Sequence, residues 1–325
     1  MGGDMVKDHH NRRFKSLRVS ITGDCNLACT YCDPSNRCEP KHNKELTAED
    51  IIKLVNWLVD ILDIEKIRLT GGEPLLTPKL EQLLPAINQL ASKDLSLTTN
   101  GQLLKQKAAF LLKNGLKRLN ISLDTLDPEK YRSITGGGKL QRTLDGIEEA
   151  LDQGIKVKVN MVPVRLLNDD EVVSMLDYCL EKKIELRYIE LMQMGHLQSR
   201  EKYDSKLVTM HQIFKQINKK HQFQPAAAPP DSTAKRYYIK DRGYFGIIAN
   251  DSAPFCQNCN RLRLSSEGYL YGCLSSSKKF DLRPLLELPA KTAKKQLESI
   301  LASAILTKQD FSFNGSSTLM RSVGG

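Results

Sequence analysis

Three cysteines within eight residues constrain this chain more than any other feature. Cys25, Cys29 and Cys32 have the spacing Cys-x3-Cys-x2-Cys and directly follow a predicted strand over residues 17–22. A structural zinc site normally takes four ligands, usually as paired Cys-x2-Cys units. Three thiolates on one tight loop suit a cubane iron–sulfur cluster, in which the fourth iron has no protein ligand and stays open to a small molecule. Cys38 is not expected to join the set, because a fourth thiolate would close that iron.

A second group of three cysteines, Cys256, Cys259 and Cys273, lies near the end of the chain. One interpretation is half of a zinc ribbon, completed by Cys179 or by a histidine. Cys179 lies on the apolar face of a predicted helix and is more typical of packed core, and none of the six histidines has ligand spacing. A second three-thiolate cluster is therefore favoured over zinc, and its open iron would serve the substrate.

The composition is that of a globular protein. Of 325 residues, 40% are hydrophobic and 26% are charged, which excludes a disordered chain or a small disulfide scaffold. No apolar run reaches the roughly 20 residues needed to span a bilayer, and the polar N-terminus does not resemble a secretory signal. We therefore expect a cytoplasmic protein with reduced thiols.

The charge is strongly positive and uneven. The net charge is +10, and residues 235–325 carry 14 Lys and Arg against 7 Asp and Glu. This excess indicates a polyanionic ligand, and an aromatic content of only 6% favours a compact phosphate over single-stranded nucleic acid. Arg261 and Arg263 alternate beside the second cysteine group, and on an extended segment both would face one way. Two such guanidiniums are suited to phosphate oxygens.

Predicted strands and helices alternate for the first two thirds of the chain. We interpret the strands as near-continuous apolar runs, which are typical of parallel strands buried on both faces. Six β/α units fall short of the eight in a closed barrel, so we predict an α/β fold with a partial, TIM-like (β/α)6 barrel and a C-terminal cluster-binding extension. We predict strands at 17–22, 67–70, 95–99, 119–123, 155–162 and 184–189, and helices at 47–62, 78–90, 103–113, 141–152 and 169–182. A linker or long loop at 195–234, a β pair at 237–240 and 244–248 and a basic helix at 291–306 are predicted to follow. The chain would then divide into a tail over 1–15, a barrel over 16–194 and a C-terminal region over 195–325.

The first cysteine group and its surroundings resemble the radical S-adenosylmethionine superfamily. Tyr31 precedes the last cysteine of the group, and Gly71-Gly72-Glu73-Pro74 follows the next predicted strand. The resemblance implies that the open iron binds the amino and carboxylate groups of S-adenosylmethionine. Electron transfer from the cluster would then cleave the sulfonium and yield a 5′-deoxyadenosyl radical.

The whole set of motifs is similar to a narrower group, the GTP 3′,8-cyclase family of molybdenum cofactor biosynthesis. The segments that carry this resemblance follow one another in family order: residues 17–20, 67–70, 98–101, 120–124, 156–160 and 187–192, then Cys-x2-Cys-Asn-Arg-x-Arg from Cys256 and a terminal Gly-Gly. The resemblance implies two 4Fe–4S clusters, S-adenosylmethionine as cofactor and GTP as substrate. The 5′-deoxyadenosyl radical would abstract the ribose 3′ hydrogen, and the resulting C3′ radical would attack C8 of guanine. One electron from the reductant and one proton would then complete 3′,8-cyclo-7,8-dihydro-GTP.

Site residues are implied by the same resemblance. It assigns the cluster ligands to Cys25, Cys29, Cys32, Cys256, Cys259 and Cys273; the S-adenosylmethionine contacts to Tyr31, Gly72, Ser122 and Met192; the GTP contacts to Arg18, Arg68, Thr98, Lys158, Arg261, Leu262 and Arg263; and a catalytic tail to Gly324 and Gly325. Three of these cations lie within apolar strands, where an unpaired charge would be costly. The chain departs from the family at Leu166, where Gly is usual, and at Gln193, where Pro is usual.

The resemblance also implies partners. They are an electron donor such as flavodoxin or ferredoxin and the downstream pterin synthase, with no nucleic acid and no membrane; a homodimer is also considered. Two other functions compete with this interpretation. One is a peptide-modifying radical enzyme with an auxiliary cluster, which usually has more C-terminal cysteines and lacks the Asn-Arg-x-Arg stretch. The other is a zinc-ribbon protein that binds nucleic acid.

Overall fold

The computed structural model describes residues 7–34, 45–90, 94–228 and 232–324. Twelve strands lie within these residues. Their bounds are β1 (Ser16–Ser20), β2 (Lys66–Thr70), β3 (Asp94–Thr99), β4 (Arg118–Ser122), β5 (Lys156–Met161), β6 (Glu185–Ile189), β7 (Gln224–Ala226), β8 (Lys235–Ile239), β9 (Gly243–Ile248), β10 (Arg261–Leu264), β11 (Tyr269–Tyr271) and β12 (Phe280–Asp281).

Eleven α-helices alternate with these strands or follow them in the part of the chain that is described. They are α1 (Ala48–Leu62), α2 (Lys79–Leu90), α3 (Leu104–Lys113), α4 (Pro128–Thr135), α5 (Leu140–Asp152), α6 (Val172–Glu181), α7 (Arg200–Lys206), α8 (Met210–Ile217), α9 (Arg283–Leu286), α10 (Ala290–Ile305) and α11 (Met320–Val323). Among the described residues, none of the helices combines the length and apolar composition needed to cross a membrane.

One sheet of twelve strands organises the molecule. Its order is β12-β11-β10-β1-β2-β3-β4-β5-β6-β9-β8-β7. Strands β1 to β6 are parallel neighbours joined by helices, and β10 and β9 extend the parallel set beyond β1 and β6. The prediction of a partial (β/α)6 barrel is confirmed. The C-terminal region adds strands to both ends of this sheet, and the ends are not hydrogen-bonded to each other.

In strands β1 to β5 apolar residues alternate with polar ones, so the prediction of near-continuous apolar runs was wrong. In β1, Leu17 and Val19 are fully buried in the hydrophobic core, whereas Arg18 points the other way, into a cavity. Strand β2 repeats the pattern, with Ile67 and Leu69 in the core and Arg68 in the cavity. The helices therefore cover one face of the sheet, and the other face encloses a polar interior.

Residues 195–234 are not the linker that the sequence predicted. Helices α7 and α8 lie within them, and Thr209 begins α8 with a capping box that Gln212 completes. Helix α4 was missed, although Asp127 before Pro128 is a strong signal for a helix start: the Asp127 carboxylate accepts the first free backbone N–H groups of α4. The predicted β pair is confirmed as the antiparallel strands β8 and β9, and the predicted basic helix as α10.

Candidate active site

A single cavity inside the barrel brings the two cysteine groups together. Cys32 from the first group and all three cysteines of the second line its wall. Most of the other predicted site residues line it as well. These are Arg18, Tyr31, Arg68, Thr98, Ser122, Met192, Arg261 and Arg263. We call this cavity the chamber.

The loop that carries the first cysteine group is held by backbone contacts on two sides. On one side, Ala28 and Thr30 donate their N–H groups to carbonyls at the end of α4. On the other, Gly72 donates its N–H to the Thr22 carbonyl at 2.8 Å. A Cβ at Gly72 would lie 2.1 Å from the Asp24 carbonyl oxygen, so only glycine permits this approach. The Gly-Gly turn therefore presses the chain after β2 against the start of the cysteine loop.

Glu73 of the same turn is a structural residue. It is buried, and its carboxylate accepts hydrogen bonds from the Thr99 hydroxyl and the Asn100 N–H, both at 2.7 Å, and from the Leu75 N–H at 3.0 Å. Burial raises the pKa of Glu73 to about 7, and these hydrogen bonds only partly offset it. Glu73 thus joins the carboxyl ends of β2 and β3, next to the cysteine loop.

Burial is the main influence on the pKa values of the three thiols of the first group. It raises the pKa of Cys25 to about 11 and that of Cys32 to about 12, and it raises the pKa of Cys29 well above its usual range. Metal ligation requires the thiolate, so binding of a metal cluster here would release protons.

The side of the chamber next to this loop carries the residues assigned to S-adenosylmethionine. The Tyr31 hydroxyl donates to the Asp124 carboxylate at 2.6 Å, and Asp124 also accepts the N–H of Val162. Burial raises the pKa of Asp124 to about 6. Ser122 and Met192 also line the chamber. Asp124 was not predicted as a site residue, but its buried carboxylate at the chamber wall marks it as one.

The second cysteine group is fixed by contacts from distant parts of the chain. Arg12 donates to the carbonyl of Cys256 at 2.6 Å and to the carbonyl of Gln309 at 3.2 Å. The buried Glu190 carboxylate accepts the N–H groups of Asp251 and Ser252, in the loop that leads to Cys256. Neither Arg12 nor Glu190 could be assigned this role from local spacing, because each acts on a residue far away in the sequence.

Cys259 differs from the other thiols in its electrostatics. Burial would raise its pKa, but the Arg261 guanidinium and the Lys308 ammonium outweigh burial and hold the pKa of Cys259 well below its usual range. Lys308 Nζ lies 3.2 Å from Cys259 Sγ and 2.7 Å from the Arg261 carbonyl. A thiolate at this position is prepared to bind a metal. Lys308 is a further residue that the sequence analysis missed.

The spacing of the sulfurs argues against single zinc ions. Tetrahedral zinc with Zn–S bonds of about 2.3 Å brings its sulfurs roughly 3.8 Å apart. Among the described residues, only His9, His10 and Asp310 place three ligand atoms within 4.8 Å of one another. The Arg12 guanidinium lies 3.7 Å from the Asp310 carboxylate, which disfavours a metal dication there. In neither cysteine group do the three sulfurs all lie within 4.8 Å of one another, and this wider spacing suits a cluster larger than a single zinc ion.

Guanidinium groups supply most of the charge in the rest of the chamber, which is otherwise lined largely by apolar side chains. The side chain of Arg18 is half-buried and makes no hydrogen bond to the described residues, and the side chain of Arg68 reaches only the Ser96 hydroxyl among them, at 3.5 Å. Burial and repulsion by neighbouring arginines hold the pKa of Arg18 and of Arg68 well below the usual range. Arg187 also lines the chamber, although the sequence analysis did not select it. An anionic ligand would relieve this repulsion.

Three residues assigned to GTP have distinct surroundings. The buried Thr98 hydroxyl faces the chamber and has no hydrogen-bond partner among the described residues. Lys158 lies in an adjoining cavity at the amino ends of the strands, where it pairs with Glu185 at 2.6 Å. Leu262 is fully buried in the hydrophobic core, so the structure does not bring its side chain into the chamber. Cys179 is likewise buried in the core, as predicted.

The C-terminal tail folds back to the chamber. Arg263 donates to the carbonyls of Val323 and Gly324, and Gly324 is buried. A Cβ at Gly324 would lie 2.1 Å from the Thr70 side chain, and the φ of +73° also favours glycine. Gly325 and Cys38 lie outside the described residues.

The two departures from the family pattern have clear structural settings. Leu166 has a φ of +60° and is 94% exposed, which explains why glycine would suit this position. The Gln193 carbonyl accepts the N–H of Ser316, in the segment that leads to the tail. Neither residue lines the chamber.

Comparisons with known proteins agree with these features. Residues 19–179 match the radical SAM superfamily, and residues 184–313 match the family described as Molybdenum Cofactor Synthesis C. A GTP 3′,8-cyclase from Alkaliphilus oremlandii is 38% identical over 311 residues, which cover 94% of this chain and 93% of that protein. One from Aquifex aeolicus is 39% identical over 285 residues, or 86% of this chain and 88% of that protein.

The chain belongs to the GTP 3′,8-cyclase family of the radical SAM superfamily. The resemblance drawn from the motifs is thereby confirmed.

Solved structures show the same superfamily fold. SuiB from Streptococcus suis bound to S-adenosylmethionine aligns with a TM-score of 0.59 at 16% identity, over 82% of this chain and 63% of SuiB. SuiB bound to the precursor peptide SuiA aligns with a TM-score of 0.62 at 17% identity, over 84% of this chain and 63% of that protein. This chain thus spans less than two thirds of SuiB, and at this identity the likeness concerns the fold alone.

Proposed function

We propose that the chain is a GTP 3′,8-cyclase that uses S-adenosylmethionine to convert GTP into 3′,8-cyclo-7,8-dihydro-GTP, the first step toward molybdopterin. The observation that carries this proposal is the chamber: among the described residues its arginines form no ion pair with a carboxylate, and Cys32 and the second cysteine group line the same cavity. A triphosphate would supply the negative charge needed to compensate these guanidinium groups. The superfamily relationship implies S-adenosylmethionine and one 4Fe–4S cluster as cofactors.

The first cysteine group would hold the cluster that reduces S-adenosylmethionine. This cofactor supplies the radical chemistry when bound. The chain's own residues position the reactants: the backbone next to Gly72, the Ser122 hydroxyl, Tyr31 and Met192 would hold the cofactor against the loop. The Asp124 carboxylate accepts a hydrogen bond from the Tyr31 hydroxyl and so orients the tyrosine ring.

The second cysteine group would hold a second 4Fe–4S cluster whose open iron faces GTP. Lys308 and Arg261 compensate thiolate charge at Cys259, which supports cluster binding there. Arg18, Arg68, Arg261 and Arg263 would bind the phosphates through charge-assisted hydrogen bonds. Lys158 would join them from the adjoining cavity, and the Thr98 hydroxyl would gain a partner in the substrate.

The two regions of the chain would have separate roles. The barrel over residues 16–194 would bind S-adenosylmethionine, and residues 195–325 would supply the second cluster and a catalytic Gly-Gly tail. We further propose a cytoplasmic location, an electron donor such as flavodoxin or ferredoxin, and transfer of the product to a pterin synthase.

Anaerobic incubation with S-adenosylmethionine, dithionite and GTP, followed by mass spectrometry, tests the proposal. We expect 5′-deoxyadenosine together with a cyclised product isomeric with GTP. The Cys29→Ala variant should form neither compound, whereas Cys179→Ala, which removes a core cysteine, should keep both. Absence of the cyclised product from protein with intact clusters would refute the function.

A further inference from the structure

The C-terminal segment reaches the chamber along a defined path. Ser316 exchanges backbone hydrogen bonds with the strand-like segment after β6: its N–H reaches the Gln193 carbonyl at 3.0 Å, and its carbonyl accepts the N–H of Gly195 at 2.9 Å. Met320, in the short helix α11, then lines the chamber. Beyond it, the carbonyls of Val323 and Gly324 are bound by Arg263.

A buried ion pair ties this segment to the first cysteine group. Arg321 Nε lies 2.9 Å from Asp33 Oδ2, and the two side chains are only 18% and 5% exposed. Asp33 directly follows Cys32 in the sequence, and the backbone N–H of Arg321 donates to the Cys32 sulfur. The tail therefore contacts the first cysteine loop through both a side chain and the main chain.

We propose that Asp33 and Arg321 form a latch that holds the C-terminal tail in its catalytic position. Both are positioning residues, because their side chains meet each other rather than line the chamber. The latch joins the loop that would hold the radical-generating cluster to the chain end that lies at Arg263. The inference rests on the proposed function only in naming the reaction that the tail serves.

The tail needs such anchors because ordering a segment near the chain end is entropically unfavourable. Fixed anchors offset this cost in conformational entropy. Arg263 provides one anchor at the carbonyls of residues 323 and 324, and Asp33 provides another at residue 321. Loss of either partner of a buried pair also leaves the other charge uncompensated.

Hydrogen exchange of the tail tests the latch without any substrate. Anaerobically reconstituted wild type is compared with Arg321→Gln, Asp33→Asn and the double variant, and peptides covering residues 314–324 are followed by mass spectrometry. We expect each single variant to exchange roughly tenfold faster or more, as for loss of a charge-assisted hydrogen bond. The double variant should be no faster than the singles, because one interaction is lost in all three. Asp60→Asn, which breaks the exposed pair with Lys294, is the control and should match wild type.

Turnover measurements then separate positioning from binding. With GTP as substrate, kcat should fall about tenfold or more in Arg321→Gln, while KM for GTP stays within about twofold. Arg321→Gln is the safer variant, since the residue lies outside the cysteine loop, and its iron content verifies the clusters. Tail exchange within twofold of wild type in Arg321→Gln overturns the latch, as do single effects that multiply in the double variant. Faster exchange in a protein that never cyclises GTP would instead uphold the latch and refute the proposed function.

Discussion

Replacing Arg18 with methionine should stabilise the protein while it weakens GTP binding. The side chain of Arg18 lies inside the barrel without a hydrogen bond to any described residue, and Arg263, Arg68 and Arg261 repel it. Exchange of a buried charge for an apolar side chain of similar length is often stabilising, by about 1–4 kcal/mol. At about 2 °C per kcal/mol for a chain of this size, the melting temperature without GTP should rise by roughly 2–8 °C.

The same substitution removes a charge-assisted contact to the triphosphate. Such a contact contributes about 1.5–3 kcal/mol, so GTP should bind roughly 10- to 150-fold more weakly. Anaerobic calorimetry would measure both the melting temperature and the GTP affinity. Lys105→Met is the control, because Lys105 is 62% exposed in a surface pair with Asp145, and it should change stability by less than about 0.5 kcal/mol. A lower melting temperature in Arg18→Met, or an unchanged GTP affinity, would show that Arg18 is not held there for an anion.

Three further predictions concern the second cluster, pH and the tail. Arg12→Ala removes the hydrogen bond to the Cys256 carbonyl and should lower the iron retained by the second site during gel filtration; full retention would contradict this role. Burial raises the pKa of Glu73 to about 7, so the unfolded chain releases this proton at lower pH than the folded one. The contribution of Glu73 to the free energy of unfolding should therefore decrease as the pH rises from about 4.5 to 7. The free energy of unfolding of wild type, measured relative to Glu73→Gln, should decrease over that range; a difference that does not vary with pH would contradict the raised pKa. Gly324→Ala should bind GTP normally yet cyclise little of it, because its Cβ would clash with a neighbouring side chain; Gly154→Ala, at a similar φ with open space around it, should be fully active, and equal activity of the two would refute a catalytic tail.

Local patterns predicted much of the fold. The helix predicted at 47–62 is α1, and the Thr47 hydroxyl caps it by accepting the N–H of Asp50 at 3.1 Å. The helix predicted at 103–113 is α3, and Gly115 follows its end with a φ of +88°. Helix caps and β/α alternation are readable because they depend on neighbouring residues. The strand interior was misread because Arg18 and Arg68 were treated as exceptions in apolar strands, when they mark a regular polar face.

The site could be predicted only where a motif lies within one short segment. Both cysteine groups and Arg261 were found in this way, and Cys32, the whole second group and Arg261 line one chamber. Lys308 was missed because it contacts Cys259 from 49 residues away, and Arg12 because it lies 244 residues from Cys256. Such contacts depend on how β10 pairs with β1, a register that no local spacing reveals.

The most direct test of the central claim is a labelling experiment across the chamber. The account holds that S-adenosylmethionine at the first cysteine group and GTP at the second face each other closely enough to react. GTP deuterated at the ribose 3′ position is incubated anaerobically with the reconstituted protein, S-adenosylmethionine and dithionite, and the 5′-deoxyadenosine is analysed by mass spectrometry. The account predicts one deuterium in the 5′-deoxyadenosine formed with labelled GTP. Unlabelled 5′-deoxyadenosine, formed at the same rate with and without GTP, would contradict it.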